Sequence, residues 1–193
     1  MVFGLIAATI NLIGLVPYVR DILKHKTKPE RAMWWIYSIL FLLLFAAQAK
    51  AGARWLLLAT SIYAISSITV GLLSFKYGFG KFHRRHVVSA LVALIGLILW
   101  QTTNRPLFAI LMVIVVDFAG FWLTVIKTWF APHSETLISW QLACLSNMVS
   151  IFAISKWKID IYVYPLYSVI VEALFIYMII YRRRVVTKDA NDV

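Results

Sequence analysis

A chain of 193 residues that is 62% hydrophobic and only 14% charged, with mean hydropathy +0.84, is too apolar for a soluble domain. Soluble domains carry roughly 45–50% apolar and 25% charged residues. The net charge of +11 sits in short clusters between apolar segments, which excludes a continuous nucleic-acid patch and reads instead as membrane topology.

Seven apolar stretches have the roughly 17–25 residues that a membrane span needs. They cover 2–22, 32–50, 54–75, 87–103, 106–127, 137–155 and 159–181. No alternating barrel pattern occurs, and a backbone in lipid must satisfy its own hydrogen bonds, so each stretch predicts a helix. The fold class is all-α: a polytopic membrane protein with seven transmembrane helices. The N-terminus lacks a charged region and a small-residue cleavage site, so no cleaved signal peptide is expected. The lone cysteine, Cys144, has no partner for an internal disulfide and reads as a packed small residue.

Between the first two spans runs Pro17-Tyr-Val-Arg-Asp-Ile-Leu-Lys-His-Lys-Thr-Lys-Pro-Glu-Arg-Ala-Met-Trp-Trp35. It begins with a helix breaker and passes through a basic turn to a tryptophan pair. Counted loop by loop, one side of the chain has 14 Lys and Arg, from Arg20 to Lys188, and the other has five: Lys50, Arg54, Arg105, Lys156 and Lys158. The positive-inside rule puts the N-terminus outside and the C-terminus in the cytoplasm. An integral membrane location with this orientation is expected.

A weaker copy of the hairpin lies about 105 residues on, from Trp122 to Trp140. Aligning Glu30 with Glu135 brings Trp35 onto Trp140. A one-residue slip sets Gly14 on Gly120 and Pro17 on Leu123. The organisation read from this is a first three-helix bundle over 1–78, a basic loop with linker helix 4 over 79–104, a second bundle over 105–184, and a short cytoplasmic tail over 185–193. The odd helix makes the two repeats parallel about an axis along the membrane normal.

With Pro17-Tyr18, the Lys26-Thr-Lys-Pro29 loop and the three-plus-one-plus-three plan, nearly the whole chain resembles the PQ-loop and SWEET-like seven-helix transporters. It is most similar to prokaryotic members that share Tyr18-Val-Arg-Asp-Ile22, Lys76-Tyr-Gly78, Glu135-Thr-Leu137 and Tyr164-Pro-Leu166. The resemblance implies alternating access, with two bundles rocking around a substrate site near the bilayer midplane. The asparagine that the group often has in the third helix of each bundle corresponds by position to Ser66 or Ser67 and to Glu172. Gln48 and Phe45 stand near the place of a tryptophan usual in the second helix of sugar carriers.

Asp117 and Glu172 are the only acids well inside apolar segments. A carboxylate at that depth costs several kcal/mol unless it is paired, hydrated or protonated, so each is a candidate site residue. No Lys or Arg lies at comparable depth, which leaves protons or a cationic ligand to neutralise them. Beside Ala119-Gly120, Asp117 also admits a reading as interhelical packing. Asn147 and Tyr167 add hydrogen-bonding capacity in helices 6 and 7, and Asn11, Tyr18, Tyr37 and Tyr63 are alternatives that read equally as contacts between helices. Trp122, deeper than the other tryptophans, is placed to stack on a ligand. The rest, Trp34, Trp35 and Trp140 among them, fall near segment ends as an aromatic belt does. Pro17 and Pro165 are candidate hinges, or static kinks.

All four histidines fall in predicted cytoplasmic loops, and His83-Arg-Arg-His86 reads as a lipid-facing basic patch rather than a ligand pair. No metal site or cofactor is expected. The sequence has no nucleophile–base pair and no Gly-rich phosphate loop, so an enzyme is not expected either. The partners expected are membrane lipids and a small-molecule substrate, with no nucleic acid; a homo-oligomer is compatible with this. The function expected is a carrier or facilitator of a small solute, proton-coupled or cation-preferring through Asp117 and Glu172. A partner-binding, assembly or sensor role is the alternative.

Overall fold

The computed structural model describes residues 1–29, 31–78, 87, 91, 94, 95, 98 and 100–191. Among these residues every regular element is helical. In chain order they are α1 (Val2–Leu23), α2 (Arg31–Ala51), α3 (Leu56–Tyr77), α4 (87, 91, 94, 95, 98 and 100–103), α5 (Pro106–Phe130), a 3-10 turn (Pro132–Ser134), α6 (Leu137–Ile151) and α7 (Ile159–Asn191). Five are long and apolar enough to cross a membrane: Val2–Leu23, Met33–Ala51, Leu56–Tyr77, Pro106–Phe130 and Ile159–Val186. Their outward faces are apolar too, with Leu12, Val16, Leu72, Phe75, Val115, Phe118, Ile170 and Leu174 exposed.

Local chemistry sets the helix ends. Gly52, at φ +89°, ends α2 in the left-handed conformation that glycine adopts without strain. Pro106 opens α5 at a position where its missing N–H has no helical partner to lose. Both α1 and α7 run unbroken past their internal prolines, Pro17 and Pro165.

Two boundaries differ from the sequence expectation. The sixth helix ends at Ile151 rather than at 155, because the chain tightens: the N–H groups of Phe152, Ala153 and Ile154 donate three residues back. Ala53, Leu56, Ile154 and Ile161 then pack as one buried cluster, joining the α2–α3 turn to the α6–α7 turn. The seventh helix runs on to Asn191 rather than ending at 181. Arg182 and Arg183 dock that extension by donating to the backbone oxygens of Trp129, Pro132 and Glu135. The basic loop at 79–86 and most of the expected linker helix lie outside the described residues.

Six helices close a ring. Each of the pairs α1–α3, α3–α2, α2–α5, α5–α7, α7–α6 and α6–α1 is in contact, with α3–α6 and α2–α7 touching across it. Exchanging α1, α2 and α3 for α5, α6 and α7 maps every one of these pairs onto another member of the set. The two tight crossings obey the same exchange. Gly14 of α1 lets Leu142 and Ser139 of α6 come close, and Gly120 of α5 lets Met33 of α2 do so. The largest buried apolar cluster joins α2 to α5 through Leu40, Leu44, Ile110, Val113 and Val116. The largest cluster therefore lies at a helix seam, and the centre of the ring holds a cavity.

Candidate functional site

A cavity of about 160 Å³ opens inside the ring, and all six helices contribute to its wall. The lining follows helical spacing. From α2 come Trp34, Tyr37 and Phe41; from α6 come Trp140, Ala143 and Asn147, at the same three-then-four interval and 106 positions later. Asn11 of α1 and Asp117 of α5 are likewise 106 apart, and both line the cavity. The same offset sets Gly14 on Gly120. It puts Trp34, one residue from the sequence alignment's Trp35, level with Trp140. Trp35 points away from the cavity and packs on Phe75 and Gly71.

Both deep acids face this space, and each is held by one neutral donor from another helix. The Tyr167 hydroxyl of α7 donates to Asp117 Oδ2 at 2.7 Å, and Asn147 Nδ2 of α6 donates to Glu172 Oε2 at 2.9 Å. The opposite wall is polar but uncharged: Ser66 Oγ of α3 approaches Asn11 Oδ1 of α1 at 3.5 Å, and the Tyr63 hydroxyl donates to the Ala143 carbonyl at 3.3 Å. Among the described lining residues there is no Lys, Arg or His. The second half of the ring thus carries carboxylates where the first carries an amide and hydroxyls.

Aromatic rings connect the ends of the cavity. Tyr18 touches Trp34 (5.5 Å between centroids), and Trp34 touches Tyr37 (5.9 Å). The contacts continue through Phe41 (5.9 Å) to Tyr63 and Tyr164, then to Tyr167 (6.0 Å), which holds Asp117. Ring spacings of 4.5–7 Å are those of packed aromatic pairs, so the wall is rigid and apolar with hydroxyl tips.

At the loop end of the helices a polar latch joins the two halves. Thr136, before α6, gives its one proton to Asp21 Oδ2 at 2.9 Å, so the buried Thr27 hydroxyl is the donor in its 2.9 Å contact with Thr136. Beside it Glu135, almost wholly buried, accepts from Lys127 and from Trp140 Nε1 (3.1 Å), while Arg183 holds its carbonyl. At the opposite end, the Ser146 hydroxyl donates to the Ala7 carbonyl at 2.8 Å, Gly4 rests on the Trp55 carbonyl, and Phe3 packs on Phe152.

Of the residues singled out in the sequence, Asp117, Glu172, Asn147, Tyr167 and Ser67 line the cavity. Ser67 turns its hydroxyl back to the Ala64 carbonyl of its own helix. Two others lie elsewhere. Trp122 is 53% exposed on the outer face of α5, stacked on Phe118, because the residues one turn apart that face inward there are Asp117 and Phe121. Gln48 is buried between α2 and α3, where it accepts a hydrogen bond from Thr60 at 2.7 Å. Trp34 and Trp140, placed in the interfacial belt by their position near segment ends, instead line the cavity. Glu135 escaped the sequence reading as a buried residue. Its signal was the five-residue spacing from acid to tryptophan, Glu30 to Trp35 and Glu135 to Trp140, with Lys127 eight residues before the second acid.

Comparison with family models, with curated proteins and with solved structures found no match to this chain.

Proposed function

We propose that this chain is an integral membrane carrier that moves a small solute by alternating access between two three-helix bundles, α1–α3 and α5–α7. The observation that carries this reading is the central cavity: it lies on the axis about which the two halves exchange, and both deep carboxylates face it. An apolar exterior, an interior cavity carrying a few polar groups and a ring built from paired three-helix units are what a rocking carrier needs. In particular, we place the protein with the PQ-loop and SWEET-like carriers, in a prokaryotic plasma membrane with the N-terminus outside.

The acids determine the coupling. Two carboxylates among aromatic walls hold their charge only with a cation beside them, and otherwise take up protons. Solute and proton therefore compete for one site, and the cycle exchanges one for the other. Pro17 and Pro165, which remove backbone hydrogen bonds within α1 and α7, are the positions where the bundles bend. The Thr27–Thr136–Asp21 latch opens when the loop side opens.

In proteoliposomes carrying a pH gradient, Glu172→Gln should abolish or uncouple uptake, and Asp117→Asn should weaken it. Wild-type uptake in both variants, with the fold intact by circular dichroism, would overturn the assignment.

A further inference from the structure

We propose that the solute is a small amino alcohol: a protonated or quaternary amine with a hydroxyl at its other end and no carboxylate. This rests on the carrier reading above and adds the identity of the ligand class. The first observation is polarity. One wall of the cavity presents Asp117 and Glu172, and the facing wall presents Asn11 and Ser66, which offer amide and hydroxyl but no charge. A ligand matching both ends is cationic at one and neutral but hydrogen-bonding at the other.

The second observation is what the wall cannot hold. Without Lys, Arg or His among the described lining residues, a zwitterion's carboxylate would find only the neutral donors Asn11 and Ser66 on the facing wall and no cation to pair with. Burial of an unpaired carboxylate beside like charge is strongly unfavourable, so amino acids are rejected. The third is the aromatic series from Tyr18 through Trp34, Tyr37 and Phe41 to Tyr164. Ring faces attract ammonium groups within about 6 Å and are the usual partners of quaternary amines. The fourth is size. A cavity of roughly 150 Å³ accommodates benzene, and this one, at about 160 Å³, suits a ligand of comparable bulk.

The test uses the full-length protein in detergent for binding and in proteoliposomes for uptake, with ethanolamine and choline as probes. Ethylamine lacks the hydroxyl, ethylene glycol lacks the charge, and glycine betaine replaces the hydroxyl with a carboxylate. We expect ethanolamine and choline to bind at least tenfold more tightly than ethylene glycol or glycine betaine. Ethanolamine should also exceed ethylamine, and Asn11→Ala should remove that advantage while leaving ethylamine unchanged. Ser66→Ala, a smaller change, should give the same pattern where Asn11→Ala fails to fold. Glu172→Gln should weaken all amines at least tenfold.

Equal binding of glycine betaine, equal binding of ethylene glycol, or no binding of either amino alcohol overturns the proposal. Glu172-dependent uptake of another solute class without amino-alcohol binding overturns it and leaves the carrier reading standing. Amino-alcohol binding with no uptake of any probe supports the ligand assignment and removes the carrier.

Discussion

Removing the hydroxyl that holds Asp117 weighs the charge in this cavity directly. Tyr167→Phe keeps the ring and its contact with Tyr164 but leaves Asp117 Oδ2 without its donor. The 2.7 Å contact is a well-formed hydrogen bond, and with Asp117 ionised such a charge-assisted bond contributes about 1.5–3 kcal/mol. A neutral hydrogen bond between helices in a bilayer averages about 0.6 kcal/mol. The substitution should therefore cost about 1.5–3 kcal/mol in the wild type but only about 0.6 kcal/mol when Asp117 is already Asn. The coupling energy of the cycle is then about 0.9–2.4 kcal/mol. It can be read from SDS unfolding of bicelle-reconstituted protein, followed by tryptophan fluorescence at pH 9. The sign of the pH effect is set by the acceptor: a carboxylate binds the phenol more strongly than a carboxylic acid does. Repeating the cycle at a pH low enough to protonate Asp117 should thus bring the cost to about 0.6 kcal/mol in both backgrounds and shrink the coupling toward zero. Additivity within about 0.5 kcal/mol at pH 9 would refute the idea that Asp117 carries charge there.

Other interactions yield separate tests. Thr136→Val leaves Asp21 without its hydroxyl donor and Thr27 without its acceptor and should cost about 2–4.5 kcal/mol, whereas Thr27→Val loses only the neutral bond of about 0.5–1.5 kcal/mol. Either change should also speed the labelling of a cysteine at Ser139 from the loop side; equal costs and unchanged labelling would remove the latch. Lys127→Met strands a carboxylate that is 3% exposed and should destabilise by about 3–5 kcal/mol. Adding Glu135→Gln should restore most of that loss in the same unfolding assay. Gly4→Ala puts a Cβ 2.3 Å from the Trp55 carbonyl oxygen, a backbone atom that cannot swing aside, and should cost about 1–3 kcal/mol. Gly120→Ala meets only the flexible end of Met33 and should cost less in a parallel thermal melt, despite a nominal approach of 1.8 Å.

The sequence by itself determined what repeats along one dimension. Apolar run lengths located the spans, and six of them appear as helices whose ends lie within a few residues of those expected, except that α7 continues ten residues past 181 to Asn191. The depth of Asp117 and Glu172 in those runs marked them because burial of charge is costly wherever it occurs. The repeat was legible from Gly14 and Gly120, small residues that two crossing helices require.

Which side of each helix turns inward was decided only by the tertiary structure. Consecutive residues on a helix point about 100° apart, and these helices are apolar nearly all round, so no stripe marks the inner face. Trp34 and Trp35 are neighbours of one chemistry, yet only the first reaches the cavity, because α2 also packs against α3 on one flank and α5 on the other. Trp122 faces outward for the same reason, one residue from Phe121, which faces in. Gln48 could hydrogen-bond a ligand or a neighbour, and the proximity of Thr60 across a tight turn settled it. The donors chosen by Asp117 and Glu172, 50 and 25 residues away, came from helices whose adjacency only the closed ring establishes.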